Sequence, residues 1–248
     1  REKLLPVAVD GTLRVLNSSI KNNVEQIIVT SSIVAMFRKP NRSNPYTFGE
    51  NDWTDENWIE GVSDYFLSKT RAERTAWEFM ESKGLKNKLT TINPGGVFGD
   101  ALDKKGGTSI EYVRQFLKGK FPAAPKFAVL ISDVKDVAKS HVACIGNKKV
   151  GGRRLIIGKE VKKLVELSQI MAEAMPEYAK KVPKKELPNF MVKLISYIDS
   201  SAKTMIPDLG IMMQTDTTYA EDLLGFKFKG AKDCISENAK SVVKLGLV

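Results

Sequence analysis

The stretch QIIVTSS, residues 26–32, decides the fold of this chain. Its β-branched run has no polar alternation, so it predicts a strand that is buried on both faces and is ended by Ser31 and Ser32. Residues 4–22, which come before it, carry apolar side chains at helical spacing and predict an amphipathic helix. A helix that leads into a fully buried strand is typical of a parallel sheet covered by helices.

The same alternation of helix and strand continues to about residue 158. Strands are expected at residues 89–92, 127–131 and 154–157, and helices at residues 63–83, 107–120 and 133–146. Ser132 is expected to cap the last of these helices. The connections suit parallel crossovers, and we therefore expect an α/β fold with a parallel sheet over this part of the chain.

The regular alternation of helix and strand does not continue from about residue 159 onward. This part of the chain is rich in lysine and has prolines at positions 176, 183, 188 and 207, so we expect a less regular, mainly helical region. Met205, Met212 and Met213 either line an apolar pocket there or fill gaps in the core. Residues 38–60 form a long loop, and loops of this length are usually functional. Trp53 and Trp58 in this loop either cover a site or anchor the loop to the core, and anchoring is favoured.

The composition excludes several kinds of site. The chain has 248 residues, two cysteines and one histidine. These counts are too low for a disulfide framework, a cysteine-rich zinc site or a histidine-rich metal site, so no metal is expected. No apolar run approaches the roughly 20 residues that span a bilayer. We also find no signal peptide, and we expect a cytoplasmic protein without a membrane partner.

The formal charge of +10 comes mostly from lysines that occur singly or in pairs, such as residues 180–181 and 184–185. No stripe of arginines interleaved with aromatic residues is present, as a surface for single-stranded nucleic acid would require. We therefore expect a lysine-rich solvated surface and no nucleic-acid partner. The alternative is that the positive charge attracts an anionic ligand, such as the phosphates of a dinucleotide.

The strongest chemical signal is Tyr65-Phe66-Leu67-Ser68-Lys69, which places a phenol and an ammonium one turn apart on a predicted helix. A phenol keeps its proton at neutral pH, and an ammonium fixed nearby favours the phenolate. Such a tyrosine can pass a proton to a carbonyl oxygen as hydride arrives, or take one from an alcohol. Ser31 and Ser32 end a strand at the edge where ligands of parallel sheets bind, and a hydroxyl there can hold the same oxygen.

Five ordered blocks make the chain resemble the extended short-chain dehydrogenase/reductases of the NAD-dependent epimerase/dehydratase superfamily. Within that superfamily it is most similar to the dihydroflavonol-reductase-like and aldehyde-reductase-like group, which includes cinnamoyl-CoA reductases. The blocks are VDGTLRVL at 9–16, TSS at 30–32, Tyr65-x-x-x-Lys69, NPGGVFG at 93–99 and DVKDVAKSH at 133–141. The resemblance implies a Rossmann-like, doubly wound parallel sheet and a small, α-rich, C-terminal substrate-binding region.

The resemblance implies a role for each matching residue of the catalytic set. Ser32 matches the serine that holds the substrate oxygen, and Ser31 is the alternative if the register shifts by one. Tyr65 matches the proton donor. Lys69 matches the residue that eases loss of the tyrosine proton and hydrogen-bonds the nicotinamide ribose, so Tyr65 and Lys69 are cofactor-binding as well as catalytic.

The resemblance also implies a second cofactor-binding stretch. Pro94, Gly95, Gly96 and Val97 match the segment whose backbone lines the nicotinamide, and small residues at a strand end allow a flat ring to approach closely. Ser109 falls where some relatives contact the cofactor near its phosphates. Members of the family typically use NADP, so the resemblance implies NADP as the cofactor. NAD is the alternative cofactor, because the residues that bind the 2′-phosphate match no part of this chain.

The family's glycine-rich phosphate loop has no counterpart here, because no Gly-x-x-Gly-x-x-Gly spacing occurs in these residues. The family's phosphate loop belongs to a first strand-helix unit, and the block at Val9 matches the family's fourth helix. We therefore expect a chain that is truncated at its N-terminus. Residues 1–158 would be the remainder of the dinucleotide-binding domain, with a substrate-side excursion near 101–126. Residues 159–248 would be mainly substrate-binding, with a closing segment that returns to the first domain.

These inferences predict an NAD(P)H-dependent oxidoreductase that reduces an aldehyde or ketone to an alcohol. The partner is a small carbonyl or alcohol substrate, and the protein is a monomer or homodimer. One alternative is a nucleotide-sugar epimerase or dehydratase on the same scaffold, although TSS lacks the acidic residues that dehydratases place after the threonine. The other is a non-catalytic dinucleotide-binding relative, for which the set of Ser32, Tyr65 and Lys69 would have no use.

The missing glycine spacing generates a first prediction. The 248 residues alone should bind NADPH weakly and turn it over slowly, because no glycine-rich loop supplies amides to the pyrophosphate. Turnover of NADPH by the isolated chain, followed by absorbance, measures this. Rates typical of an intact reductase would contradict the prediction.

Overall fold

A computed structural model of the chain describes residues 4–105, 107–198 and 200–248. Its long helices match the helical spacing of the sequence, and short ones fill the C-terminal part. The helices are α1 (Leu4–Lys21), α2 (Asp64–Ser82), α3 (Thr108–Leu117), α4 (Val134–Cys144), α5 (Leu164–Ala174), α6 (Asn189–Ile195), α7 (Ser200–Met205), α8 (Thr218–Leu224) and α9 (Ala231–Lys244). In the described parts of the chain, no helix is both long and apolar enough to cross a membrane.

Within the described residues, the strands form four small sheets. They are β1 (Ile27–Thr30), β2 (Tyr46–Thr47), β3 (Leu89–Pro94), β4 (Gly96–Phe98), β5 (Ala124–Pro125), β6 (Ala128–Asp133), β7 (Arg154–Ile157), β8 (Glu160–Lys163), β9 (Glu186–Leu187) and β10 (Met213–Gln214). The central sheet has the order β1-β3-β7 and is parallel throughout. A second sheet, β4-β6-β8, is parallel between β4 and β6 and antiparallel between β6 and β8.

The expected α/β fold with parallel strands is confirmed. Every residue of β3 and of β7 is buried. The prediction of a strand buried on both faces is wrong for β1, where Ile27 is buried, Ile28 and Val29 are half-buried and Thr30 is exposed. Ser63 caps α2, because its hydroxyl accepts a hydrogen bond from the backbone N–H of Phe66. The prediction that Ser132 caps α4 is wrong. Ser132 is still in β6, and the carboxylate of Asp133 is the cap.

The C-terminal part shares its core with the part before residue 158. α9 packs against both α3 and α5, and one apolar cluster joins all three helices to β6. β8 extends the sheet of β4 and β6 by pairing with β6. The division of the chain into two units near residue 158 stays a prediction, while the core itself is continuous across that point.

A buried ion-pair cluster fastens the long loop after β1 to the segment before β10. The guanidinium groups of Arg38 and Arg42 both contact the carboxylate of Asp208, and the side chains of all three are almost fully buried. Arg38 also donates to the carbonyl of Gly61 at 3.0 Å and lies 3.6 Å from the ring centre of Phe66. The cluster therefore holds the loop, the start of α2 and the C-terminal part together.

The buried cysteines generate a second prediction. Cys144 and Cys234 are free and fully buried, and burial raises the pKa of the Cys144 thiol to about 11. Burial raises the pKa of the Cys234 thiol as well. At about pH 8, where a free thiol begins to ionise, Ellman's reagent should label neither cysteine in the native protein and both after denaturation. Rapid labelling of either in the native protein would contradict this.

Candidate active site

Tyr65 and Lys69 lie on the first two turns of α2, whose start is fixed by the Ser63 cap. Tyr65 is half exposed, with 51% of its surface accessible. In the described parts of the chain, neither the Tyr65 hydroxyl nor the Lys69 ammonium has a hydrogen-bond or ion-pair partner. Because both polar ends are free, they are available to a bound ligand.

The two serines at the end of β1 have different surroundings. The Ser31 hydroxyl donates to the Glu73 carboxylate at 2.5 Å and is occupied in the interior. The Ser32 hydroxyl accepts a hydrogen bond of 3.3 Å from the backbone N–H of Val34, where it begins a short 3-10 helix. Ser32 lines a cleft together with Tyr65. Of the two serines, Ser32 therefore has the position that suits a ligand in this cleft.

This cleft has a volume of about 740 Å³ and brings together most of the predicted site residues. The predicted site residues that line the cleft are Ser32, Tyr65, Gly95, Gly96, Val97 and Ser109. Its other walls are mainly aliphatic and aromatic side chains, among them Phe37, Phe66 and Phe127. Met213 also lines the cleft, whereas Met205 and Met212 do not.

Lys69 lines a second hollow, of about 370 Å³, on the other side of Tyr65. Ser31, Thr12 and Thr30 also line it. Tyr65 borders both the cleft and this hollow. Pro94 lines neither of them and is fully buried at the end of β3. The predicted site is therefore divided: Ser32 and the glycines face the cleft, Lys69 faces the hollow, and Tyr65 stands between them.

The two glycines after Pro94 are required by the neighbouring strand. A Cβ atom at Gly95 would lie 2.2 Å from the carbonyl oxygen of Leu130 on β6. A Cβ atom at Gly96 would lie 2.8 Å from the side chain of Val129. Sequence reasoning attributed these glycines to the approach of a flat ring. Close packing against β6 accounts for them without a ligand, and it fixes the backbone that lines the cleft.

Glu73 is the residue that sequence reasoning missed. Its side chain is completely buried, and its carboxylate is surrounded by donors from four segments. These are Ser31 at 2.5 Å, Trp77 at 3.3 Å, Thr91 at 3.1 Å, Asn93 at 2.7 Å and Arg154 at 2.6 Å. The carboxylate thereby joins α2 to the ends of β1, β3 and β7. Glu73 follows Tyr65 and Lys69 at four-residue spacing, a signal that could have placed all three on one helix face.

Asn93 and Arg154 connect this cluster to the end of β1 and to the long loop. Asn93 also donates to the backbone carbonyl of Ser32 at 3.2 Å. Arg154 donates to the carbonyls of Glu50 and Asp52, and its guanidinium lies 3.7 Å from the ring centre of Trp53. Trp53 thus anchors the long loop, as was favoured. The backbone of Ser32 is fixed relative to the helix that carries Tyr65.

The residues present fit the nicotinamide half of a dinucleotide. A free phenol and a free ammonium lie on one helix and border two hollows, and Gly95 and Gly96 line the cleft without side chains. Tyr65 and Lys69 would hold the ribose, and the segment from Gly95 to Val97 would line the ring, whereas Pro94 is buried away from both hollows. The pyrophosphate half has no matching glycine spacing in these residues. No group of three or more side chains suited to a metal is found in the described parts of the chain.

Comparison with known proteins gives one family and a consistent set of relatives. The sequence profile of the NAD dependent epimerase/dehydratase family matches residues 1–158. NADPH-dependent methylglyoxal reductase GRE2 of Saccharomyces cerevisiae is 30% identical over 263 residues, covering 98% of this chain and 71% of that protein. Cinnamoyl-CoA reductase 1 of Petunia hybrida is 26% identical over 246 residues, covering 99% and 67% respectively. The crystal structure of the yeast methylglyoxal/isovaleraldehyde reductase Gre2 with NADPH has a TM-score of 0.77 and 28% identity, covering 98% of this chain and 72% of that one.

The Glu73 cluster generates a third prediction. Glu73→Ala should lower the free energy of unfolding by roughly 3–5 kcal/mol, because it leaves Arg154 buried without its carboxylate. Urea unfolding followed by circular dichroism measures this. Glu173→Ala is the control, since Glu173 is exposed in a pair with Lys232, and such pairs contribute little. Equal stability of Glu73→Ala and the unaltered protein would contradict the role of the cluster.

Proposed function

Because the chain belongs to the NAD dependent epimerase/dehydratase family, we propose that its cleft reduces an aldehyde or ketone to an alcohol with NADPH. The relatives that it matches include reductases that are named for NADPH. The chain is accordingly an NAD(P)H-dependent oxidoreductase. The observation that carries the proposed reaction is the free Tyr65 hydroxyl, which lies between the cleft of Ser32 and the hollow of Lys69.

The proposed roles follow from what each side chain can do. NADPH supplies the hydride when it is bound. Tyr65 gives its proton to the carbonyl oxygen of the substrate, while Ser32 holds the same oxygen with its hydroxyl. The ammonium of Lys69 favours the phenolate that remains, because opposite charges attract strongly where water is partly excluded. Two hydrogen-bonding groups on one oxygen fix the substrate in place before the proton moves.

The walls of the cleft indicate the class of substrate. Phe37, Phe66, Phe127 and Met213 offer an apolar surface to the part of the substrate beyond the carbonyl. An aliphatic or aromatic aldehyde or ketone would bury its apolar surface there, and a sugar would leave hydroxyls without partners. This favours reduction of an apolar carbonyl compound over epimerisation of a nucleotide sugar. Tight binding of a nucleoside-diphosphate sugar would reverse that preference.

We also propose that the protein is cytoplasmic and acts as a monomer or homodimer. Its two cysteines are free thiols, which is in keeping with a reducing compartment. Size-exclusion chromatography with light scattering measures the oligomeric state.

The catalytic proposal generates a fourth prediction. Tyr65→Phe should lower kcat by about 10²- to 10⁴-fold with a smaller effect on KM, because the proton donor is removed while the ring is kept. Oxidation of NADPH with a panel of aldehydes that includes methylglyoxal and isovaleraldehyde measures this. Tyr197→Phe is the control, since Tyr197 is 87% exposed on the C-terminal part of the chain. If Tyr65→Phe turns over at the unaltered rate, Tyr65 is not the proton donor.

A further inference from the structure

A second concave site lies between the turn after α3 and the segment that follows α5. It is an open hollow of about 510 Å³, lined by Lys118, Gly119, Phe121, Pro122, Lys180, Lys181, Val182, Lys184 and Lys185. We call it the lysine hollow. Five of these residues are lysines, and no aspartate or glutamate is among them. The lysine pairs that stood out in the sequence therefore converge on one place together with Lys118.

The ammonium groups of the lysine hollow are not neutralised by nearby carboxylates. Within the described parts of the chain, none of the five lysines has an ion pair, whereas ten other lysines do. Glu186, next in sequence, is shared by Lys126 and Lys163. Lys181 lies 5.2 Å from the ring centre of Tyr178. Like charges gathered without counter-charges create a positive potential that an anion relieves.

The hollow is built on fixed backbone. Gly119 has a φ of +71°, and a Cβ atom there would lie 3.3 Å from the Cβ of Lys181, so the two walls approach closely at this point. The backbone N–H of Ala124 donates to the carbonyl of Lys185 at 2.9 Å, and Val182 is buried between the lysine pairs. Because these contacts hold the walls in place, a ligand would not have to order the backbone when it binds.

The lysine hollow is separate from the cleft of Tyr65. The two sites share no lining residue. Ser109, which lines the cleft, is in the first turn of α3, and Lys118 follows the last residue of that helix. Ten helical residues span about 15 Å at 1.5 Å per residue. A ligand in the lysine hollow is therefore not a substrate at the proton donor.

We propose that the lysine hollow binds a small ligand that carries at least two phosphate groups. Lysine ammonium groups are point charges that bind phosphate oxygens without a fixed orientation. Five of them around one hollow exceed what a single phosphate would neutralise. Phe121 packs against Tyr112 and Phe116 and is thereby held in the wall rather than projecting to stack on bases. This favours a compact polyphosphate over a nucleic acid.

The test measures binding of inorganic tripolyphosphate, pyrophosphate and phosphate to the whole chain by isothermal titration calorimetry. We expect tripolyphosphate to bind most tightly and phosphate least. The double variant Lys184→Glu with Lys185→Glu should weaken tripolyphosphate binding by at least about 10-fold, which is roughly 1.4 kcal/mol. The control is Lys148→Glu with Lys149→Glu, which changes the net charge equally at a lysine pair outside the lysine hollow and should change binding far less.

Several outcomes would overturn the proposal. These are no binding of tripolyphosphate, equal weakening by the two double variants, or equal affinity for phosphate and tripolyphosphate. Binding of single-stranded RNA or anionic vesicles that depends on Lys184 and Lys185, with no binding of tripolyphosphate, would assign the hollow to a macromolecule instead. Lys184→Gln with Lys185→Gln keeps the test decisive if the glutamates disturb folding. Circular dichroism of each variant shows whether the fold is kept.

Discussion

The buried carboxylate of Glu73 is the interaction on which the site depends. It accepts hydrogen bonds from residues at the ends of β1, β3 and β7 while it belongs to α2. A buried charge is costly unless every oxygen has donors, and here both oxygens have them. These donors reach the carboxylate only when the three strands and the helix hold the relative positions seen in the structure, and only then is the cost offset. The relative position of Ser32, on a strand end, and Tyr65, on the helix, is set by this requirement.

The same cluster separates two serines that look equivalent in the sequence. Ser31 gives its hydroxyl to Glu73, and Asn93 holds the backbone carbonyl of Ser32. The Ser32 hydroxyl is left at the cleft beside Tyr65. One serine therefore contributes to the structure and its neighbour is available to a substrate. The alternation of side chains at the end of a strand is the reason that adjacent residues differ so much.

One group of positive charges lies where the proposed reaction does not use it. The cleft is lined mainly by apolar side chains, and the lysine hollow is lined by five lysines. A formal charge of +10 spread evenly would give a solvated surface and little more. Convergence of five of these lysines at the far end of α3 is what separates a binding site from a merely basic protein.

The sequence by itself determined the helices up to residue 146, the three strands of the central sheet and the family, because helical spacing, β-branched runs and ordered motifs are local properties. It also placed Tyr65 and Lys69 on one helix, since four residues make about one turn. It misplaced the cap of α4 by one residue, because Ser132 and Asp133 are both good caps and only a tertiary contact distinguishes them: the Ser132 hydroxyl donates to the carbonyl of Ile157 on β7. The tertiary structure alone decided which serine faces the cleft, why positions 95 and 96 have no room for a side chain, and that Glu73 pairs with Arg154. Each of these depends on contacts between residues far apart in the chain, which local propensity does not encode.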